Sequence, residues 1–165
     1  MAGPIDLPDI NVWLAFSVAD HVHHARARHY WYEESGDQLA FCRVTALGFL
    51  RLSTNTAAMS GNPLSVSQAW QAYTDFRRLP EVLLAAEPEG CEAWLEPWAL
   101  GEYSAPRQWT DAYLAAFAQA GGLRLVSFDR DFGRFAGLDL LDWNCSKHPI
   151  QSLASELVRT TREMS

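Results

Sequence analysis

"RLVSFDRDF", residues 124–132, decides how this chain is read. Leu123, Leu125 and Val126 have strand character, and the run leads through Ser127 and Phe128 into Asp129, Arg130 and Asp131. A run apolar on both faces suits a strand covered on both sides. Carboxylates just past its end suit either a helix cap or a charged cluster drawn from distant parts of the chain.

Working outward, similar runs recur at "GPIDLPD" (3–9), "QLAFCRV" (38–44), "EVLLAA" (81–86) and "LDLLDW" (138–143). Pro8 interrupts the first and limits its length. Between the runs the apolar period lengthens to that of helices, over 11–18, 23–35, 45–55, 65–78, 90–100 and 110–122. The clearest is 65–78, where Val66, Ala69, Trp70, Tyr73 and Phe76 form one stripe behind a Ser65/Gln68 capping box. Pro97 is expected to break the helix over 90–100. Thr110 reads as the cap of the helix that ends at Gly121-Gly122. Strands alternating with helices predict an α/β fold: a three-layer α/β/α domain around a parallel sheet of about five strands. That domain covers residues 1–143; residues 144–165 form a C-terminal tail with a modest amphipathic pattern.

Bulk properties exclude several classes. The chain has 165 residues and a formal net charge of −7, which disfavours binding through a broad basic face. All but one of its 13 basic residues are arginines, so a local arginine patch is still available. No apolar run is long enough to span a membrane, and the N-terminus lacks the pattern of a secretory signal. Cys42, Cys91 and Cys145 are odd in number and scattered, which argues against disulfides and thiolate metal sites and for a cytoplasmic protein.

The candidate chemistry is acidic. In a parallel sheet, ligands gather beyond the carboxyl ends of the strands. Asp9 ends the first strand, Asp129 and Asp131 follow the fourth, and Asp111 opens the helix that runs back to that fourth strand. Singly, each is explained as a helix-start residue favoured by the backbone N–H groups and the dipole. Together they repel: two carboxylates about 5 Å apart cost roughly 3 kcal/mol at an effective dielectric of about 20. Such a cluster needs protons or a cation, and oxygen-only ligands point to Mg²⁺, with Mn²⁺ the close alternative.

"LPDINVWLA", "VTALGFLRL", "WTDAYLAAFA" and "LVSFDRDFGRF" together resemble a PIN domain, and in particular the VapC toxins of bacterial toxin–antitoxin pairs. The resemblance covers residues 5–143 and implies an Mg²⁺-dependent endoribonuclease acting on tRNA or rRNA. It also implies a VapB-type antitoxin partner and a homodimer. Carried across by position, the metal-binding aspartates fall on Asp9, Asp111 and Asp129, with Asp131 as a further catalytic member. Asn11 and Ser127 become supporting residues that orient the carboxylates. Where many PIN domains have a glutamate this chain has Gly48, which leaves open one ion or two, and keeps alive a catalytically impaired PIN domain that binds RNA or protein.

Arg51, Arg130 and Arg134 are candidate phosphate contacts. His21, His23, His24 and His29 match no zinc spacing and read as helix-start, packing or RNA-rim residues. Trp13, Trp70 and Trp94 occupy apolar helix positions and are expected in the core, while Trp109 is the candidate substrate contact. A receiver-type phosphotransfer domain also gathers acids at strand ends, but needs a lysine after the fifth strand. The single lysine here, Lys147, lies beyond it in the tail.

Overall fold

In a computed structural model that describes residues 3–101 and 105–143, five strands form one wholly parallel sheet. They are β1 (Ile5–Pro8), β2 (Gln38–Phe41), β3 (Val82–Leu84), β4 (Arg124–Ser127) and β5 (Leu140–Asp142), in the spatial order β3-β2-β1-β4-β5. Helices α1 (Ile10–Ser17) and α2 (His24–His29) join β1 to β2, the latter running on into a π-helical turn at Tyr30–Glu34. Helices α3 (Arg43–Ser53) and α4 (Val66–Arg78) join β2 to β3, and α5 (Cys91–Ala99) and α6 (Trp109–Gly121) join β3 to β4. The tail from residue 144 onward lies outside the described residues, and with it Cys145 and Lys147.

Strand alternation splits the core into two layers of contact. Leu7, Ala40 and Leu125 face α5 and α6, where Leu114, Ala115, Phe117 and Ala118 pack against them. Leu39, Phe41 and Val126 face the opposite way, onto Trp13, Tyr30, Phe49 and Tyr73 of the first four helices and the turn after α2. The alanine-rich body of α6 lets that helix lie close to the sheet and to α5. On the other face Trp13 is wholly buried and stacks on Phe41 with ring centroids 3.7 Å apart.

Pro8 sits at the end of the central strand without harm. The β1–β2 pairing covers Ile5 and Asp6 only, whereas pairing with β4 continues to Pro8 and on to a bond from the Asp9 N–H to the Val126 carbonyl at 2.8 Å. The donor that proline lacks therefore falls where no ladder bond is due.

Several boundaries differ from those expected. The second strand ends at Phe41, because Cys42 becomes the N-cap of α3 and turns Arg43 and Val44 into its first residues. Pro97 does not break α5, which runs through it to Ala99. Packing on α6 holds the helix despite the lost bond. Thr110 is not a cap: a 3₁₀ turn at Pro106–Gln108 starts the structure earlier, and α6 begins at Trp109. The Ser65/Gln68 capping box is present, with both reciprocal bonds.

The tryptophan expectation holds for Trp13 and fails for two others. Trp70 is 57% exposed and Trp94 40% exposed. On α4 the seam runs through Ala69, Tyr73 and Phe76, so Trp70 stands about a quarter turn away from it and Val66 is exposed with it.

At the amino edge of the sheet a buried ion pair joins the two central strands. Arg124 donates from Nε and Nη2 to the fully buried Asp6 carboxylate, each at 2.8 Å. The Tyr30 hydroxyl and the Gly36 N–H also donate to Asp6, at 2.5 and 2.8 Å. Gly36 makes this approach because it lacks a Cβ, which would press into the Pro4 carbonyl, 3.0 Å from its carbon. Glu34 accepts a two-pronged bond from Arg26 at 2.8 and 2.9 Å. Arg124 also bonds the Glu34 carbonyl at 2.9 Å, tying the end of the π-helical turn to the same network.

Candidate active site

The order of the sheet reverses at β1, whose neighbours are β2 and β4, so the chain leaves these two adjacent strands in different directions and opens a crevice at their carboxyl ends. Asp9 lies there, directly after β1, as the N-cap of α1. Its Oδ1 accepts from the Ile10 N–H at 2.6 Å and its Oδ2 from the Ser127 hydroxyl at 3.0 Å. Ser127, the last residue of β4, also accepts through Oγ from the Asp129 N–H at 3.0 Å. One buried hydroxyl thus connects the two strand ends.

Asp129 caps the 3₁₀ turn at Arg130–Arg134, accepting from the Asp131 N–H at 2.9 Å. The capping reading of this aspartate holds, and the cap engages one of its carboxylate oxygens, Oδ1. Asp131 itself is exposed. Asp111 sits in the first turn of α6, with Arg134 Nη2 at 3.8 Å from its Oδ2.

Burial pushes the Asp9 carboxyl up from 3.8 to about 6; the bonds from Ser127 and Ile10 oppose that shift, and the charges of Asp111 and Asp129 add to it. An acid disfavoured by its neighbours is a place where positive charge is wanted. Among the described residues, however, no three His, Cys, Asp or Glu side chains stand close enough together to enclose an ion. A closed all-protein cage is therefore not formed among the described residues, whereas a strongly hydrated divalent cation keeps several waters and needs few carboxylates.

Gly48 explains itself in this geometry. It is buried on α3 against α1, and a Cβ there would press into the Ile10 side chain, within 2.8 Å of Cγ1 and closer to Cδ1. Ile10 follows Asp9 directly, so any side chain at position 48 would meet the residue whose N–H caps that aspartate.

The remaining candidates separate. Asn11, Arg130, His21 and His23 line an open cleft of about 680 Å³ together with Asp129 and Phe128. Asn11 is exposed in the first turn of α1, and it is Ser127 that bonds Asp9. Arg51 is exposed in the last turn of α3, a turn beyond Gly48, and does not line this cleft. The histidines have individual tasks: His24 Nδ1 lies 2.7 Å from the Ala15 carbonyl, His29 is 3.1 Å from Glu34, and His23 stacks on Phe128 at 4.2 Å. Burial, with His23 and His24 nearby, lowers the His21 pKa. Sequence reasoning missed the Asp6–Arg124 network, for which no local signal exists: the partners are 118 residues apart.

The model of the PIN domain matches residues 7–138. The chain belongs to the PIN domain family. Among curated relatives of this PIN domain, Ribonuclease VapC41 of Mycobacterium tuberculosis is 41% identical over 140 residues, covering 81% of this chain and 95% of the relative. Ribonuclease VapC38 of the same species is 33% identical over 153 residues, covering 89% and 96%. Among solved structures, Mycobacterium tuberculosis VapC20, a Sarcin-Ricin loop cleaving toxin, superposes with a TM-score of 0.60 at 16% identity, covering 81% of this chain and 97% of that one. VapBC2 from Rickettsia felis, bound to a DNA fragment from their promoter, gives 0.58 at 13% identity, covering 84% and 98%. At those identities the structures establish the shared fold, and the VapC relatives place this PIN domain in the VapC type.

Proposed function

We propose that this VapC-type PIN domain is a metal-dependent endoribonuclease and the toxin of a VapBC-like pair, cutting tRNA or rRNA. The observation that carries the proposal is Asp9 at the switch point of the sheet, its carboxyl raised first by burial and further by the charges of Asp111 and Asp129. Asp9, Asp111 and Asp129 would bind a divalent metal directly or through waters it retains, and that metal would supply Lewis acidity toward a phosphodiester and activate the attacking water.

The protein's own part is positioning. Asp9 is fixed by two donors and cannot swing away from the crevice. Ser127 sets the distance between the β1 and β4 ends by bonding to both. Asp131 stands beyond Asp129 as a further oxygen donor or water holder. Arg130 lines the cleft and Arg134 flanks Asp111, placing positive charge where phosphate oxygens would approach.

Mapping RNA ends after induction tests this. Wild-type protein should produce new cuts at defined sites, and Asp9→Asn protein should produce none. Equal cleavage by Asp9→Asn and Asp111→Asn proteins would sink the catalytic reading and leave the impaired, binding-only PIN domain that Gly48 keeps open. Relief of growth arrest by a small protein encoded beside it would identify the VapB-type antitoxin. A homodimer and a cytoplasmic location belong to the same proposal. Among the described residues no helix is long and apolar enough to cross a membrane.

A further inference from the structure

The carboxylate edge has a second neighbour besides the open cleft. Ala112, next to Asp111, helps line a cavity of about 220 Å³ between α5 and the start of α6. Its other walls include Trp98, Pro106, Gln108, Trp109 and Arg134. Trp109 is 56% exposed. Trp98 is half-buried and held from behind by Phe135 and Trp94, with ring centroids at 5.1 and 5.3 Å. Arg134 lies between the cavity and the acids, with its guanidinium carbon 4.4 Å above the Phe135 ring and Nη2 3.8 Å from Asp111.

These groups select a ligand class. Two indoles at one small cavity favour a flat aromatic body, and a guanidinium on the way to the carboxylates favours an anion attached to it. The volume is several times the roughly 30 Å³ share of a water molecule, so it holds one heterocycle and not a base pair. A net charge of −7 disfavours holding RNA by a broad basic face, so stacking adds affinity beyond what a few local arginines supply.

We propose that this cavity takes one unpaired nucleobase of the RNA strand, beside the phosphodiester presented to Asp9, Asp111 and Asp129. The proposal rests on the ribonuclease reading above. Trp109 and Trp98 stack on the base, and Arg134 meets the phosphate that leads from it to the crevice. The protein thereby selects a single-stranded or looped site, since a base in a duplex is not available to enter.

The test is fluorescence anisotropy of a short fluorescein-labelled single-stranded RNA of mixed sequence, with the full chain carrying Asp9→Asn so that the probe stays intact. Adding Trp109→Ala should weaken binding about tenfold, Trp109→Phe by no more than about threefold, and Trp70→Ala not at all. A probe series with one abasic ribose at each position should contain one member on which Trp109→Ala has no further effect. Equal binding with and without Trp109→Ala overturns the proposal, as does equal weakening by Trp70→Ala. So does a Trp109→Ala defect confined to a co-expressed protein partner, which would make the cavity a protein-docking site. Retained cleavage by the Asp9→Asn protein, read on a gel of the same samples, overturns the ribonuclease mechanism and is separate from the anisotropy comparison.

Discussion

Ser127 Oγ donates to Asp9 Oδ2 at 3.0 Å, joining the carboxyl ends of two strands whose residues are 118 positions apart in the chain. The same oxygen accepts from the backbone of Asp129 at 3.0 Å. A single hydroxyl thus orients one carboxylate through its side chain and another through its main chain.

Replacing Ser127 by alanine should therefore weaken Mn²⁺ binding and RNA cleavage about 10- to 100-fold, the usual cost of losing a partner that orients a metal ligand. Calorimetric titration with Mn²⁺ alongside cleavage rates checks this. Threonine, which keeps the hydroxyl, should restore most of the loss. If Ser127→Ala binds Mn²⁺ as tightly as wild type, the hydroxyl is only a packing group.

Asp9 makes stability depend on pH in an unusual direction. Its carboxyl titrates at about 6 when folded against 3.8 ordinarily, so between those values the folded chain binds more protons than the unfolded one. Stability from this group is present below 3.8 and is lost as pH rises to about 6, for a total on the order of 3 kcal/mol. Urea denaturation in EDTA should show Asp9→Asn flattening that decline and giving the more stable protein near neutral pH. Added Mn²⁺ should stabilise wild type more than the variant, narrowing the difference.

Gly48→Glu should not rebuild a fuller acidic site. Its Cβ meets Ile10, so the expected result is overpacking that destabilises the chain by about 1–3 kcal/mol without tightening Mn²⁺ binding. Combining it with Ile10→Ala should cost less than the two single changes added together, because the second change clears the contact. Strict additivity in urea denaturation would show that the two helices do not meet as described.

At the far edge of the sheet, removing one member of the Asp6–Arg124 pair leaves a buried charge or donor without its partner. Arg124→Met and Asp6→Asn should each destabilise by about 3–5 kcal/mol, and the double change by less than their sum. Cleavage per folded molecule should stay near wild type, since this pair lies at the opposite ends of the strands that carry the site. Urea denaturation and active-site-normalised rates together separate the two effects.

How far the sequence reaches can be judged residue by residue. The strand and helix alternation, the Ser65/Gln68 box and the positions of Asp9 and Asp129 at strand ends are local facts. Period, capping chemistry and turn residues act within a few positions, so they can be read along the chain. Three boundaries differ: the second strand stops where Cys42 caps α3, and at Pro97 and Thr110 packing and a preceding 3₁₀ turn overrode local preference. Trp70 and Trp94 lie outside the core because an apolar residue on a helix says nothing about which way that helix is rotated.

By itself, then, the sequence determined an α/β sheet with carboxylates at its strand ends. Only the tertiary structure decided that Ser127 would bridge two of those strands and that Arg124 would neutralise the buried Asp6. It alone decided too that Ile10 would fill the space over Gly48. Each of these depends on side chains meeting across a long separation in the chain, and their energy comes from burial and geometry that no local pattern encodes.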